Sequence, residues 1–190
     1  MNKMFAFTVV AALGLGAAGG AFALLARNPG DGVTALSARR PVWTEVQWPF
    51  PTDQWDRGKA FQCEPADCGS KTNLYLRAKI GFCDCTSGVA SDADLDRMSD
   101  FDLAGGEVSP LGAGRPITIA WMKGRSRAYT LTARNRAGET AISVVFNDRC
   151  DMIVATVVML HDRPATVEHD VIEFLNSRTV LHWAEVALGL

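Results

Sequence analysis

AISVVFNDRCDMIVATVVML, residues 141–160, contains two apolar runs separated by a short polar break. Both runs are rich in valine and isoleucine, which favour strands because branched side chains pack well on a pleated surface. The break contains Asp148 and Arg149 and is too short for the crossover that parallel strands require. We therefore predict two antiparallel strands, at residues 141–147 and 152–160, joined by a tight turn.

Two further strands are predicted immediately before this pair. Residues 117–122 alternate apolar and other side chains, which is the period of two that a half-buried strand produces. Residues 128–132 form a second short run, and polar or glycine-containing turns are predicted at residues 123–125 and 134–138. Four consecutive strands with short connections are typical of an antiparallel meander.

The C-terminal residues predict two helices. Apolar side chains recur at helical spacing after Pro164, and the pair Asn176 and Ser177 separates this stripe from a second one over residues 180–188. Burial of each side chain in the first stripe would contribute about 1.5–3 kcal/mol. We predict an α+β fold in which an antiparallel sheet carries a C-terminal helix on one face. The first stripe consists of Val167, Val171, Phe174 and Leu175.

The first half of the chain contains shorter elements. Strands are predicted at residues 42–48 and 60–63 and, more strongly, at residues 73–83. A short helix is predicted from residue 91, whose serine can cap it, and residues 105–116 form a Gly/Pro-rich loop. In the strand at 73–83, one face has Leu74, Leu76, Ala78 and Ile80, and the more polar face has Tyr75, Arg77 and Lys79.

The strand-rich core is followed by VEHDVIEFLNS, residues 167–177. In this pattern of strands and helix the last third of the chain resembles the PsbP/Mog1-like α/β sandwiches. Members of that group are often binding or assembly factors. The resemblance therefore implies a sandwich fold and a binding role, and it assigns no functional residue.

Residues 4–25 contain no charged side chain. A helix needs about 20 apolar residues to cross a bilayer, so this length favours a retained anchor. Ala21-Phe22-Ala23 also fits the pattern of a cleavage site, which would make residues 1–27 a signal peptide and the protein secreted. We predict that residues 28–41 are a linker and that residues 42–190 form a single extracytoplasmic, periplasmic domain.

The composition of the 190-residue chain limits its function classes. Hydrophobic residues make up 48% of it and the net charge is −2, which indicates a globular protein and argues against nucleic-acid binding. We find no catalytic triad motif, phosphate-binding loop or dinucleotide fingerprint. His161, His169 and His182 do not have metal-binding spacing, and the aspartates of residues 92–102 fit a capped, solvated helix better than a calcium loop.

The five cysteines are Cys63, Cys68, Cys83, Cys85 and Cys150. Outside the cytoplasm such thiols tend to form disulfides. If the strand at 73–83 continues through residue 85, Cys83 and Cys85 share a face and can meet Cys63 and Cys68 across a neighbouring strand. Cys150 would then be the unpaired thiol, although spacing alone does not decide the pairing.

Cys83 and Cys85 also suggest an alternative. Two thiolates at this spacing could act as a redox dithiol or hold a soft metal such as copper(I). The spacing matches neither a thioredoxin motif nor a zinc knuckle.

A cluster of basic residues suggests a second alternative, contact with anionic lipid headgroups. We prefer a solvated hairpin edge, where basic side chains discourage pairing with another sheet. The cluster comprises Lys123, Arg125, Arg127, Arg134 and Arg136.

The favoured interpretation is a non-catalytic, cofactor-free, disulfide-stabilised domain. It would be anchored in the membrane through residues 4–25 and would bind a protein partner, or assist assembly, in the cell envelope.

Overall fold

The computed structural model describes residues 40–82, 84–132, 138–160 and 164–190. The predicted leader, most of the linker and Cys83 lie outside these residues. No helix within the described ranges has the length and hydropathy needed to span a membrane.

The helices are α1 Pro65–Cys68, α2 Asp92–Met98, α3 Pro164–Leu175 and α4 Arg178–Leu188, with a 3-10 helix at Phe101–Ala104. The strands are β1 Trp43–Val46, β2 Lys59–Cys63, β3 Thr72–Lys79, β4 Glu107–Pro110, β5 Arg115–Ile119, β6 Met122–Thr132, β7 Glu139–Asp148 and β8 Asp151–Leu160.

These strands form one antiparallel sheet in the order β1-β2-β3-β8-β7-β6, and β4 and β5 both pair with the outer edge of β6. The predicted meander is confirmed as β5 to β8. Its first turn is wrong, however, because residues 123–125 lie within β6. Ile119 pairs with Met122, so the chain reverses at Ala120 and Trp121, and Ala120 has a φ of 51°. A two-residue turn of this kind needs a positive φ. Neither turn residue is a glycine, so the turn was not indicated by the sequence.

The prediction that a C-terminal helix covers one face of the sheet is also confirmed. The first helix ends at Leu175, and Ser177 caps the second by accepting a hydrogen bond from the backbone N–H of Val180. The helices bury their apolar stripes against the central strands, where packing supplies most of the helical stability. This core includes Phe61, Leu74, Leu76, Val144, Phe146, Ile153, Val157, Val171, Leu175, Val180 and Ala184.

The second face of the sheet is covered as well, which was not predicted from the sequence. Residues 80–104, called the cover segment below, include α2 and the 3-10 helix. Leu95 and Met98 of this segment pack against Val145, Met152 and Val154 on that face. In consequence Arg77 and Lys79, predicted on the more polar face of a half-buried strand, are only 2% and 4% exposed.

The prediction of a loop at residues 105–116 is only partly right. Glu107–Pro110 forms β4, and β5 begins at Arg115. Pro110 and Pro116 are tolerated because both strands lie at the edge of the sheet, where a missing N–H interrupts no ladder on the outer side. The glycines and prolines of residues 105–116 therefore indicate an edge strand that is divided into β4 and β5.

Candidate functional site

Four of the cysteines form two disulfides. Cys63 is bonded to Cys68, five residues away, and Cys85 is bonded to Cys150, 65 residues away. The interpretation in which the 83/85 pair meets Cys63 and Cys68 is therefore wrong, and Cys150 is not the unpaired cysteine. The remaining cysteine, Cys83, lies outside the described residues.

The reason for the different pairing is the end of β3. The strand stops at Lys79, and Gly81 has a φ of 64°, a backbone conformation that glycine adopts without steric cost. The chain then turns towards the β7–β8 connection, where the Gly81 N–H donates a 2.7 Å hydrogen bond to the Asp151 carboxylate. Residue 85 consequently reaches Cys150 in that connection rather than β2.

The bond to Cys150 also bears on the copper alternative. The sulfur of Cys85 is in a disulfide, so in this state it is not the thiolate that a site at Cys83 and Cys85 needs. Among the described residues, no three His, Cys, Asp or Glu side chains lie close enough together to hold a metal ion. Of the histidines, His169 and His182 are exposed on α3 and α4, and His161 lies outside the described residues.

The aspartates of α2 are paired with the basic residues of β6. Asp92 accepts hydrogen bonds from the Gly114 N–H and from Arg125 Nε, each at 2.9 Å. Both contacts keep the pKa of the Asp92 carboxyl below its usual value, and the Gly114 contact has the larger effect. Asp96 accepts a 2.9 Å hydrogen bond from Arg127. These two arginines are thus held by carboxylates, which argues against both the lipid-facing and the solvated interpretation. Arg134 and Arg136 lie outside the described residues.

The acidic side chains were predicted to be solvated, and only part of that prediction holds. Ser91 caps α2 in a reciprocal arrangement with Asp94, as expected. Asp92 and Asp96 are four residues apart in α2, however, so they lie on one side of the helix, which faces the sheet. Tyr129 adds to this contact by donating a 2.5 Å hydrogen bond to Asp96.

A buried charge cluster includes Asp100, which follows α2 in the chain. Lys79 Nζ lies 2.6 Å from Asp100 Oδ1 and donates to the Met98 carbonyl at 2.9 Å, while Arg77 lies 3.0 Å from Asp53. Burial raises the pKa of the Asp100 carboxyl, and the hydrogen bond from Lys79 opposes that shift. Because Lys79 and Asp100 pair with each other in the interior, the ion pair holds the cover segment against the sheet.

Aromatic rings complete this cluster. The Trp48 ring lies 5.3 Å from the guanidinium carbon of Arg77, and the Trp55 ring lies 5.6 Å from Lys79 Nζ. Cation–π contacts of this kind lower the cost of burying a positive charge. Tryptophans at residues 48 and 55 were the one sequence signal that β3 has a second covered face.

An apolar cleft of about 310 Å³ lies between α4 and the β1–β2 hairpin. Its wall on the helix side includes Trp183 and Val186, and the Val186 side chain is 69% exposed. Lys59 and Glu45 form an ion pair across the two strands of the hairpin. The volume is at the lower limit for small-molecule sites, which are mostly apolar with a few polar groups. The lining residues are Glu45, Lys59, Phe61, Leu76, Thr179, Val180, His182, Trp183 and Val186.

The cleft reaches β1, whose Glu45 lines it and whose outer side is an edge of the sheet. Among the residues that the structure describes, none pairs with that edge. Val42, just before the strand, and Val46, its last residue, are exposed. The opposite edge of the sheet is broken into β4 and β5 and carries prolines, which is how proteins commonly protect an edge. The β1 edge has no proline within the strand, so each of its residues has a backbone N–H, and an added strand can pair with those that point outwards.

Comparisons with known proteins do not assign a function. No family model and no curated protein matches the chain. The solution structure of cyanobacterial PsbP from Synechocystis is similar over 69% of this chain and 76% of that protein, with 13% identity and a TM-score of 0.47. A Pseudomonas aeruginosa protein of unknown function is similar over 71% of this chain and 94% of that protein, with 15% identity and a TM-score of 0.42.

Proposed function

We propose that this chain is a non-catalytic domain that binds an extended segment of a protein partner outside the cytoplasm, held at the membrane by residues 4–25. The two disulfides support the compartment, because such bonds persist where the environment is oxidising. Asp100 and Lys79, which are both buried, are committed to each other.

The single observation that carries the binding role is the open edge of β1 beside an apolar cleft. A strand edge presents unpaired N–H and C=O groups, and an extended peptide can satisfy them by joining the sheet. The helix-side residues of β1, Trp43 and Glu45, alternate with Thr44, so an added strand would also alternate. Every second side chain of the partner would then face the cleft at Trp183 and Val186.

This binding mode predicts a partner segment that alternates apolar and polar residues. Backbone pairing supplies affinity without selecting a sequence, and the cleft selects the apolar positions. The ion pair of Lys59 and Glu45 leaves no excess charge at this site, so we expect salt to change the affinity little.

Photocrosslinking in the source cells tests this proposal. Benzoylphenylalanine placed at position 46 or 186 of the full chain is expected to form an adduct with the same protein. Val186→Lys should reduce the adduct formed from position 46 by about tenfold, equivalent to ~1.4 kcal/mol, because a charge would face the apolar side chain of the partner.

Leu111 provides the matched control, since it is an exposed apolar residue near the opposite edge of the sheet. Benzoylphenylalanine at position 111 should not form the adduct, and Leu111→Lys should leave the adduct from position 46 unchanged. Equal crosslinking from positions 46, 186 and 111 would contradict the proposal.

The proposed location is tested separately with reporter fusions. Alkaline phosphatase joined after Leu190 is expected to be active, because that enzyme needs the disulfides that form outside the cytoplasm. The fusion should remain with the membranes after alkaline extraction if residues 4–25 are retained, and it should be released if they are cleaved. Inactive phosphatase combined with a fluorescent cytoplasmic reporter at the same position would place the domain inside the cell and refute this part.

A further inference from the structure

We propose that the Cys85–Cys150 disulfide is a thiol–disulfide exchange site. A dithiol protein would break and re-form this bond, which is the covalent link, called the clamp below, between the cover segment and the β7–β8 connection. This inference goes beyond the proposed binding function and concerns a different surface. It rests on the position, accessibility and mechanical role of this bond.

The two disulfides differ in accessibility. Cys85 is exposed and Cys150 is half-buried, whereas Cys68 is half-buried and Cys63 is completely buried at 0% exposure. A thiolate must approach the sulfur that it attacks, so access governs which bond exchanges first in the folded protein. Cys85 therefore presents the more accessible sulfur.

Two exposed apolar side chains precede this bond in the chain, and the residues next to Cys85, which are Asp84, Thr86 and Ser87, are exposed and polar. Ile80 and Phe82 are both exposed, and the Phe82 ring lies 5.0 Å from the Trp55 ring. The hydrogen bond from Gly81 to Asp151 holds this short stretch next to the residue that follows Cys150. Exposed apolar side chains grouped on a surface commonly mark a site of protein contact. Ile80 and Phe82 would accordingly receive the dithiol protein next to the bond that it attacks.

The disulfide also holds the cover segment to the β7–β8 connection. Three described contacts attach the start of the segment there: the Gly81–Asp151 hydrogen bond, the Cys85–Cys150 bond, and the close approach of Gly88 to Asn147. Any side chain at position 88 would have its Cβ only 2.5 Å from the Asn147 side chain. The disulfide is the covalent member of the three.

The segment continues from this clamp into the buried parts of the second face. Val89 is packed with Leu95 and Met152, and α2 then places Asp92 against Arg125. Once the bond is broken, the remaining attachments must hold the segment without a covalent tether. Local opening of residues 81–98 then costs less free energy, because the covalent attachment near their start is lost.

The exchange is balanced with a dithiol protein as the reductant. One thiolate of that protein attacks Cys85 Sγ and forms an intermolecular disulfide, while the Cys85–Cys150 bond breaks and Cys150 leaves as a thiolate. The second thiolate of the dithiol protein then attacks that protein's own sulfur in the mixed disulfide, and Cys85 leaves as a thiolate. Two electrons pass to the clamp, and its two thiolates take up the protons that the dithiol released. The oxidised form of the same protein closes the clamp by the reverse steps.

Graded reduction of the folded, full-length chain tests this proposal. Dithiothreitol serves as the dithiol probe without denaturant, and iodoacetamide with peptide mapping reports each thiol. We expect Cys85 and Cys150 to be alkylated at least about tenfold faster than Cys63 and Cys68, because access limits exchange. A Cys83→Ser background removes the fifth thiol and its reshuffling.

Hydrogen exchange after selective reduction provides the second measurement. Backbone amides in residues 81–98 should exchange faster, while those of α3 and α4 keep their protection. Cys63→Ser/Cys68→Ser is the control, and it should leave protection in residues 81–98 unchanged. Equal alkylation of the two pairs, alkylation only at the rate of global unfolding, or unchanged exchange in residues 81–98 after reduction would each overturn the proposal.

Discussion

Replacing Cys85 and Cys150 by serine is expected to lower the free energy of unfolding by about 4 kcal/mol, twice the loss of about 2 kcal/mol for the Cys63/Cys68 pair. The difference follows from the chain closed by each bond: 65 residues for the first and five for the second. A longer closed loop removes more conformational freedom from the unfolded chain. Urea unfolding monitored by tryptophan fluorescence measures both values, with Cys83→Ser as the common background.

The two double variants are controls for each other, because each replaces two half-cystines by two serines. Equal losses would show that the unfolded chain is not the main source of the stabilisation. A larger loss for the Cys63/Cys68 pair would contradict the prediction, and it would indicate that burial of Cys63 outweighs loop length.

Asp100→Ala is expected to lower the free energy of unfolding by about 3–5 kcal/mol, the usual cost of removing one member of a buried ion pair. The Asp100 side chain is the carboxylate 2.6 Å from Lys79, and it also lies 3.8 Å from Arg77. Without it, Lys79 remains in the interior with only the Met98 carbonyl as acceptor. The same urea unfolding measures the loss.

A double variant shows whether the cost is electrostatic. Asp100→Ala combined with Lys79→Met removes both charges, so its loss should be smaller than the sum of the two single losses, by roughly 1–3 kcal/mol. Arg97→Met is the exposed control, since Arg97 pairs with Asp94 at the surface, and it should change stability by less than about 0.5 kcal/mol. Additive losses at Asp100 and Lys79 would contradict the ion-pair explanation.

The strongest sequence predictions came from repeating local patterns. Alternating or β-branched runs predicted β7 and β8, the stripe containing Val171 and Leu175 predicted α3, and Ser91 predicted the start of α2. Each of these signals depends on residues that are close together in the sequence, so it can be recognised without knowing the fold.

Two of the errors had different causes. The more polar face of β3 was predicted from its alternation, and the cover segment buried it by placing Asp100 over Lys79. The turn at Ala120 was missed because a non-glycine residue adopts positive φ there, which pairing of β5 with β6 stabilises.

The amino-acid sequence by itself determined the α+β class, the meander and the C-terminal helices, since apolar periodicity is encoded residue by residue. Only the tertiary structure decided that Cys85 bonds to Cys150, that Asp92 meets Arg125, and that a cleft opens where α4 leaves the β1 edge uncovered. These contacts join residues far apart in the chain, and such pairs are selected by the packing of whole elements, which no local pattern specifies.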